Sequence, residues 1–132
     1  CFACKNDESI QVLFWDYTCP KQDVPNQEFY TRDLPASPSS PVRLSIAGLE
    51  KGVYAMAVYQ VGYRVNDVYT AYLDIKPTLT GTLSRDQVRQ LSEANSGKPL
   101  FVKRIVVENS EPVVEDFEMR TNDVFLVKLS RV

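Results

Sequence analysis

The strongest constraint on the fold is a set of short apolar segments with the length and composition of β-strands. Turn-forming residues separate them, and they span residues 10–15, 42–47, 53–61, 101–107, 113–119 and 124–129. They come in groups, without the regular alternation of strand and helix that a parallel sheet requires. This pattern predicts a mainly β protein that folds as an antiparallel, immunoglobulin-like β-sandwich.

Two of these segments are apolar on both alternating sets of side chains, namely residues 10–15 and 53–61. A strand with one solvated face should alternate between apolar and polar residues. A sandwich buries only one face of each sheet in its own core. We therefore expect both faces of these strands to be covered, one of them by a partner domain, through a patch with side chains such as Leu13, Met56 and Val58.

One helix is expected, in the connection at residues 84–95. Ser84 and Gln87 are spaced as a capping box, Gly97 can end the helix in the left-handed conformation, and Pro99 prevents its continuation. The spacing from Leu49 to Tyr54 across a glycine turn is typical of the tyrosine corner of immunoglobulin-like sandwiches.

Residues 18–41 carry five of the eight prolines, so they are expected to form a long surface connection. The pair Phe29 and Tyr30 could form a short edge strand within it.

Composition excludes several classes of partner. The formal charge is −2, and the fifteen basic residues are scattered among seventeen acidic ones, so no nucleic-acid surface is expected. No apolar stretch approaches the ~20 residues that span a membrane as a helix. Because the sequence opens with Cys1 and no signal peptide is apparent, we expect a fragment or a mature product.

The three cysteines do not predict a metal or redox site. Cys1 and Cys4 form a C-x-x-C, Cys19 is separate, and there is no histidine to complete a zinc site. A redox C-x-x-C normally lies where a strand enters a helix, whereas this one lies in a terminus expected to fray. We expect no metal or cofactor, and a bridge between Cys4 and Cys19 if the protein is exported. A secreted or periplasmic location is slightly favoured.

No catalytic residues are predicted either. Without histidine there is no Ser-His or Cys-His nucleophile, and no glycine-rich phosphate loop occurs. The aspartates at positions 16, 67, 74 and 123 lie at expected strand ends or turns, where stabilising the turn is their commonest role. Sugar stacking on aromatic rings is the remaining option, with Trp15, Tyr17 and Tyr69 as candidate contacts. Composition favours core or interdomain packing for most of these rings.

Several motifs occur together in one order. A G-x-Y strand at residues 52–54 is followed by a polar loop with Asn66, then by Tyr72, a helix motif at 82–91 and a closing strand at 122–129. This series resembles the C-terminal β-sandwich of glycoside hydrolase family 39, the β-xylosidase and α-L-iduronidase group. The segment IQVLFWDY resembles the strand by which that family re-enters its sandwich after the catalytic barrel. Residues 75–77 depart from the Gly-Ser-Pro usual before the helix.

The resemblance implies that residues 1–132 are a single sandwich domain, a C-terminal fragment of a larger enzyme of carbohydrate metabolism. Such a domain is non-catalytic and packs against a (β/α)8 catalytic barrel, whose cleft it could help to shape. The family's two catalytic glutamates lie on that barrel, so none is carried over to this chain. Two other classes remain open: an independent carbohydrate-binding module that uses Trp15 and surface tyrosines, and an immunoglobulin-like adhesion domain.

Overall fold

The computed structural model describes residues 1–18, 33–76 and 81–132. The elements are β1 (Phe2–Lys5), β2 (Ser9–Trp15), β3 (Val42–Ile46), β4 (Gly52–Val61), α1 (Val68–Ile75), α2 (Arg85–Ala94), β5 (Phe101–Val107), β6 (Val113–Phe117) and β7 (Val124–Arg131). All named strand pairs in this part of the chain are antiparallel. The predicted mainly β, antiparallel sandwich is confirmed.

The strands form two sheets of unequal size. The larger has five strands in the order β1-β2-β7-β4-β5, and the smaller pairs β3 with β6. β7, near the end of the chain, lies between β2 and β4, so the large sheet depends on pairings between distant parts of the sequence. Leu126 of β7, for example, is opposite Leu13 on one side and Tyr59 on the other.

The core lies between the two sheets. From the large sheet, Met56, Val58 and Val127 are fully buried. Phe14 of β2 lies 5.2 Å, between ring centroids, from Phe117 of β6 in an edge-on arrangement. Each such aromatic pair contributes roughly 0.5–1.5 kcal/mol beyond its buried area. This contact therefore joins the two layers of the sandwich.

Local signals in the sequence are confirmed at three places. The side-chain oxygen of Ser84 accepts from the Gln87 backbone N–H, and the Gln87 side chain accepts from the Ser84 backbone N–H, which completes the capping box. Gly97 has the predicted left-handed conformation, with a φ of 64°, although it lies two residues beyond Asn95, the C-cap residue of α2. The Tyr54 hydroxyl donates to the Glu50 carbonyl over 2.9 Å, which is the tyrosine-corner hydrogen bond.

The expectation of a single helix is wrong, because α1 is a second one. Its sequence, VYTAYLDI, is rich in β-branched and aromatic residues, which favour strands. Asp67 overrides that preference locally, since its side chain accepts hydrogen bonds from the backbone N–H groups of Tyr69 and Thr70. Contacts between α1 and α2 supply the tertiary support that so short a helix needs.

Some strand ends also differ from expectation. The N-terminus is not frayed, because β1 pairs with β2 and places Cys4 opposite Gln11. The strand expected at residues 113–119 ends at Phe117, and the one expected at 124–129 continues to Arg131. Most of the proline-rich connection lies outside the described residues, as do the Phe29–Tyr30 pair and Cys19, and with it the bridge to Cys4.

Candidate interaction site

The candidate site lies on the face of the large sheet that points away from β3 and β6. Residues directly opposite each other in an antiparallel pair lie on the same face. The strand pairing therefore places one row of side chains across β1, β2, β7 and β4, and a second row beside it across β2, β7 and β4. We call these side chains the outer apolar patch: Phe2, Leu13, Leu126 and Tyr59 in the first row, and Trp15, Val124 and Val61 in the second.

This patch is open to solvent to an unusual degree for apolar side chains. Phe2 is 71% exposed, Val61 53% and Trp15 42%. Leu126 and Tyr59, on β7 and β4, are half-buried. Contiguous apolar surfaces of this kind mark interaction sites on proteins.

Two aromatic rings give one edge of the patch a defined shape. The rings of Phe2 and Trp15 are stacked, with centroids 5.7 Å apart and planes inclined by 24°. Since Phe2 comes from the edge strand β1, the stack ties that strand's side chain to the neighbouring strand. The result is a preformed aromatic surface.

A depression of about 290 Å³ lies within the patch. Its apolar lining consists of Leu13, Tyr59, Val61, Val124 and Leu126. Gln60, Asn66, Asn95 and Gly97 complete its wall, so the loop after β4 and the segment after α2 both border it.

The sequence identified the strands of this surface but not its side chains. Of the three predicted patch residues only Leu13 belongs to it, because Met56 and Val58 have no exposed surface and lie in the core. Within the described chain Leu13, Trp15 and Val61 remain exposed, and coverage of this face by a partner domain stays a prediction. Either alternating set of β4 was compatible with the sequence, and the position of the small sheet decided between them.

A buried carboxylate holds the strand ends beside the patch. Asp123 has no exposed surface, and its Oδ2 accepts from the Gln60 Nε2 over 3.0 Å. The Arg120 guanidinium donates to the same carboxylate through Nε, at 3.0 Å, and Nη2, at 2.9 Å. These hydrogen bonds raise the pKa of Arg120 above its ordinary value. A β-carbon at Gly62 would overlap the carboxylate, so glycine is required there.

The loop between β4 and α1, residues 62–67, is strained but well bonded. Arg64 and Asn66 have φ angles of 61° and 47°, and Asn122, before β7, has 63°. Left-handed backbone costs a non-glycine residue roughly 1–3 kcal/mol and tends to cluster at functional sites. Here the Asn66 side chain donates to the Gln60 carbonyl over 2.8 Å.

Arg64 also holds this loop to α1. Its guanidinium donates to both carboxylate oxygens of Asp74, at 2.9 and 3.0 Å, which lowers the pKa of Asp74. The signal that could have located the loop in the sequence is the Asn-Asp pair at 66–67 and again at 122–123, since asparagine tolerates the left-handed region.

The three candidate sugar contacts lie in different surroundings. Trp15 belongs to the outer apolar patch, and Tyr17, beyond the end of β2, is 77% exposed. Tyr69 on α1 borders a separate depression with Thr18 and Asn122, which neither Trp15 nor Tyr17 lines. Its hydroxyl is buried and has no hydrogen-bond partner in the part of the chain that the structure describes. Sugar binding by these residues stays a prediction.

Three further findings concern metal binding, membrane spanning and the cysteines in the described ranges. No group of three or more His, Cys, Asp or Glu side chains there is placed to hold a metal ion. No helix among the same residues is long and apolar enough to cross a membrane. Cys1 and Cys4 are exposed and unbridged to each other.

Comparisons with known proteins place this geometry in context. No protein-family model matches the sequence, and no curated protein matches it either. Among solved structures, a GH39 enzyme from Xanthomonas axonopodis pv. citri is 33% identical with a TM-score of 0.89, over 98% of this chain and 25% of its own. A monomeric beta-xylosidase from Caulobacter crescentus CB15 is 34% identical with a TM-score of 0.87, over 99% of this chain and 26% of its own.

A GH39 beta-xylosidase from Caulobacter crescentus is 26% identical with a TM-score of 0.67, over 98% of this chain and 22% of its own. The chain thus spans about a quarter of the length of these enzymes. The relation to GH39 enzymes is supported, and it is a relation to one part of them.

Proposed function

We propose, starting from this relation to GH39 enzymes, that the chain is a non-catalytic accessory β-sandwich of a GH39-like glycoside hydrolase. The observation that carries the proposal is the pair of coverages: 98% of this chain but only 25% of the GH39 enzyme from Xanthomonas. The active site of such an enzyme then lies in the other three quarters. We further propose that residues 1–132 form one domain at the C-terminal end, of the immunoglobulin-like class that the tyrosine corner favours.

The outer apolar patch supports a docked position for this domain. Interdomain contacts within one chain typically bury roughly 600–1,500 Å². The patch offers aromatic and aliphatic side chains at its centre, which is the composition of well-buried contact regions. We therefore propose that it packs against a (β/α)8 catalytic domain of the same polypeptide.

The first test separates catalysis from docking. We expect the 132-residue chain alone to leave aryl β-xylosides and related aryl glycosides unhydrolysed. Turnover by the isolated chain that disappears on substitution of a single Asp or Glu would contradict the non-catalytic role.

The second test uses the full-length parent enzyme and a matched pair of variants. Leu13→Lys puts a charge into the patch, whereas Val114→Lys puts the same charge on an exposed position of β6, on the opposite side of the sandwich. We expect Leu13→Lys to split the thermal unfolding into two transitions, because burying an unpaired charge opposes docking. Val114→Lys should keep the wild-type profile, and equal behaviour of the two variants would contradict docking through the patch.

A carbohydrate-binding module is the second candidate function, since Trp15 and Tyr17 both present aromatic surface. Aromatic faces suit the apolar faces of sugars. Titration of the chain with xylo-oligosaccharides, followed by amide chemical shifts, distinguishes the two functions. Saturable shifts centred on Trp15, Tyr17 or Tyr69 would favour the binding module, and an unchanged spectrum would favour the accessory domain.

A further inference from the structure

We infer that the depression in the outer apolar patch is a socket for one bulky apolar side chain of the catalytic domain. The inference rests on the proposed function, because it takes the occupant from the same polypeptide. It goes further by naming the point on the surface where the contact is anchored and the chemistry of the group that enters.

The lining of the socket selects an apolar occupant. Leu13, Tyr59, Val61, Val124 and Leu126 form its apolar wall, and no charged residue borders it among the described residues. A charged side chain would lose its hydration there without gaining a partner.

The polar side chains on the wall offer little to a sugar. Two of the three already have partners, since the Gln60 amide donates to Asp123 and the Asn66 amide donates to the Gln60 carbonyl, which leaves Asn95. A sugar hydroxyl that entered would give up hydrogen bonds to water and find few replacements, which is costly. An apolar side chain loses none, and it therefore fits the site better than a sugar does.

The loop that borders the socket is held by its own hydrogen bonds before any partner arrives. Gly62 and Val65 exchange backbone hydrogen bonds of 3.0 and 2.9 Å, and the Arg64 N–H donates to the Asp67 carboxylate over 3.2 Å. Asp123 fixes the base of the same loop through Gln60. A preformed pocket loses little conformational entropy on binding. The few residues that dominate the energetics of an interface typically lie in well-packed pockets of this kind.

The volume of the socket bears on the size of its occupant, and the coverage of the relatives bears on where that occupant comes from. Its volume of about 290 Å³ is near the lower end of the ~300–1,000 Å³ range of ligand pockets, which suits one large side chain better than an extended ligand. Because the chain covers only 25% of the GH39 enzyme from Xanthomonas, most of such a protein lies outside it and can supply that side chain.

The test is hydroxyl-radical footprinting of the full-length parent enzyme, with oxidation of Phe2 as the readout of docking. Val124→Phe fills the socket, and Val114→Phe makes the same change on β6, on the opposite side of the sandwich. We expect Val124→Phe to raise the oxidation rate of Phe2 about tenfold, which corresponds to about 1.4 kcal/mol of docking free energy. Val114→Phe should leave the rate unchanged.

The outcomes separate this inference from the proposed function. If Phe2 in the wild-type parent is oxidised as fast as in the denatured enzyme, docking through the patch is wrong, and the socket with it. If Phe2 is protected but Val124→Phe behaves like Val114→Phe, docking stands and the socket is overturned. Val61→Phe, which fills the depression from the neighbouring strand, repeats the comparison should Val124→Phe fail to fold.

Discussion

Asp123 should be among the residues on which the stability of this domain depends most, although it carries a charge. Its carboxylate is fully buried and accepts hydrogen bonds from Gln60 and from the backbone and side chain of Arg120. We expect Asp123→Ala to destabilise the chain strongly. The change removes the acceptor and leaves each of these donors without its partner.

The magnitude follows from what remains buried after the change. Removing one member of a buried ion pair typically costs ~3–5 kcal/mol. The Arg120 side chain is 33% exposed and can turn partly to water, which favours the lower end of that range. The Gln60 amide has no such escape, because the residue is only 8% exposed, and a stranded buried donor costs ~1–3 kcal/mol. We expect a loss of about 3–4 kcal/mol in the free energy of unfolding.

Urea denaturation of the chain measures this quantity, with the slope against urea checked for constancy. Asp123→Asn is the conservative variant: it retains one acceptor oxygen, so its loss should be about half as large. Asp116→Asn is the exposed control, since Asp116 pairs with Arg43 on the surface. Our reasoning is refuted if Asp123→Ala lowers the free energy of unfolding by less than ~1 kcal/mol, or no more than the Asp116 control does.

Three further predictions concern features outside the patch. Tyr54→Phe should lower the free energy of unfolding by ~0.5–1.5 kcal/mol in the same urea assay, because it removes only the tyrosine-corner hydrogen bond. An unchanged free energy of unfolding would mean that this hydrogen bond does not stabilise the domain. Ser84→Ala should cost ~0.5–2 kcal/mol through loss of the capping box, with faster amide exchange confined to α2. The hydrogen bond from Arg43 lowers the pKa of Asp116. The Arg43–Asp116 pair should therefore stabilise the fold above the unfolded-state pKa of about 3.9, and this stabilisation should disappear as the pH falls through the folded-state pKa. The decline of stability in acid should then be shallower in Asp116→Asn, and an identical pH profile would contradict the assignment.

The sequence by itself was sufficient for the elements that local interactions determine. Short apolar segments between turn residues located β2 to β7, the capping box located α2, and the spacing to Tyr54 identified the tyrosine corner, because each signal depends on residues within a few positions of one another. The same local logic failed for α1. Its β-branched and aromatic residues favour a strand, and the cap at Asp67 together with packing on α2 outweighs them.

The tertiary structure alone decided the candidate site. Both alternating sets of β4 are apolar, so the sequence could not distinguish the core set with Met56 from the outer set with Tyr59. The outer apolar patch exists because β7 lies between β2 and β4, which brings Leu13, Leu126 and Tyr59 into one row. Leu126 is 113 positions from Leu13 and 67 from Tyr59, and no local pattern encodes such pairings. The burial of Asp123 has the same origin, since a carboxylate typical of a turn becomes a core group only when the ends of distant strands close around it.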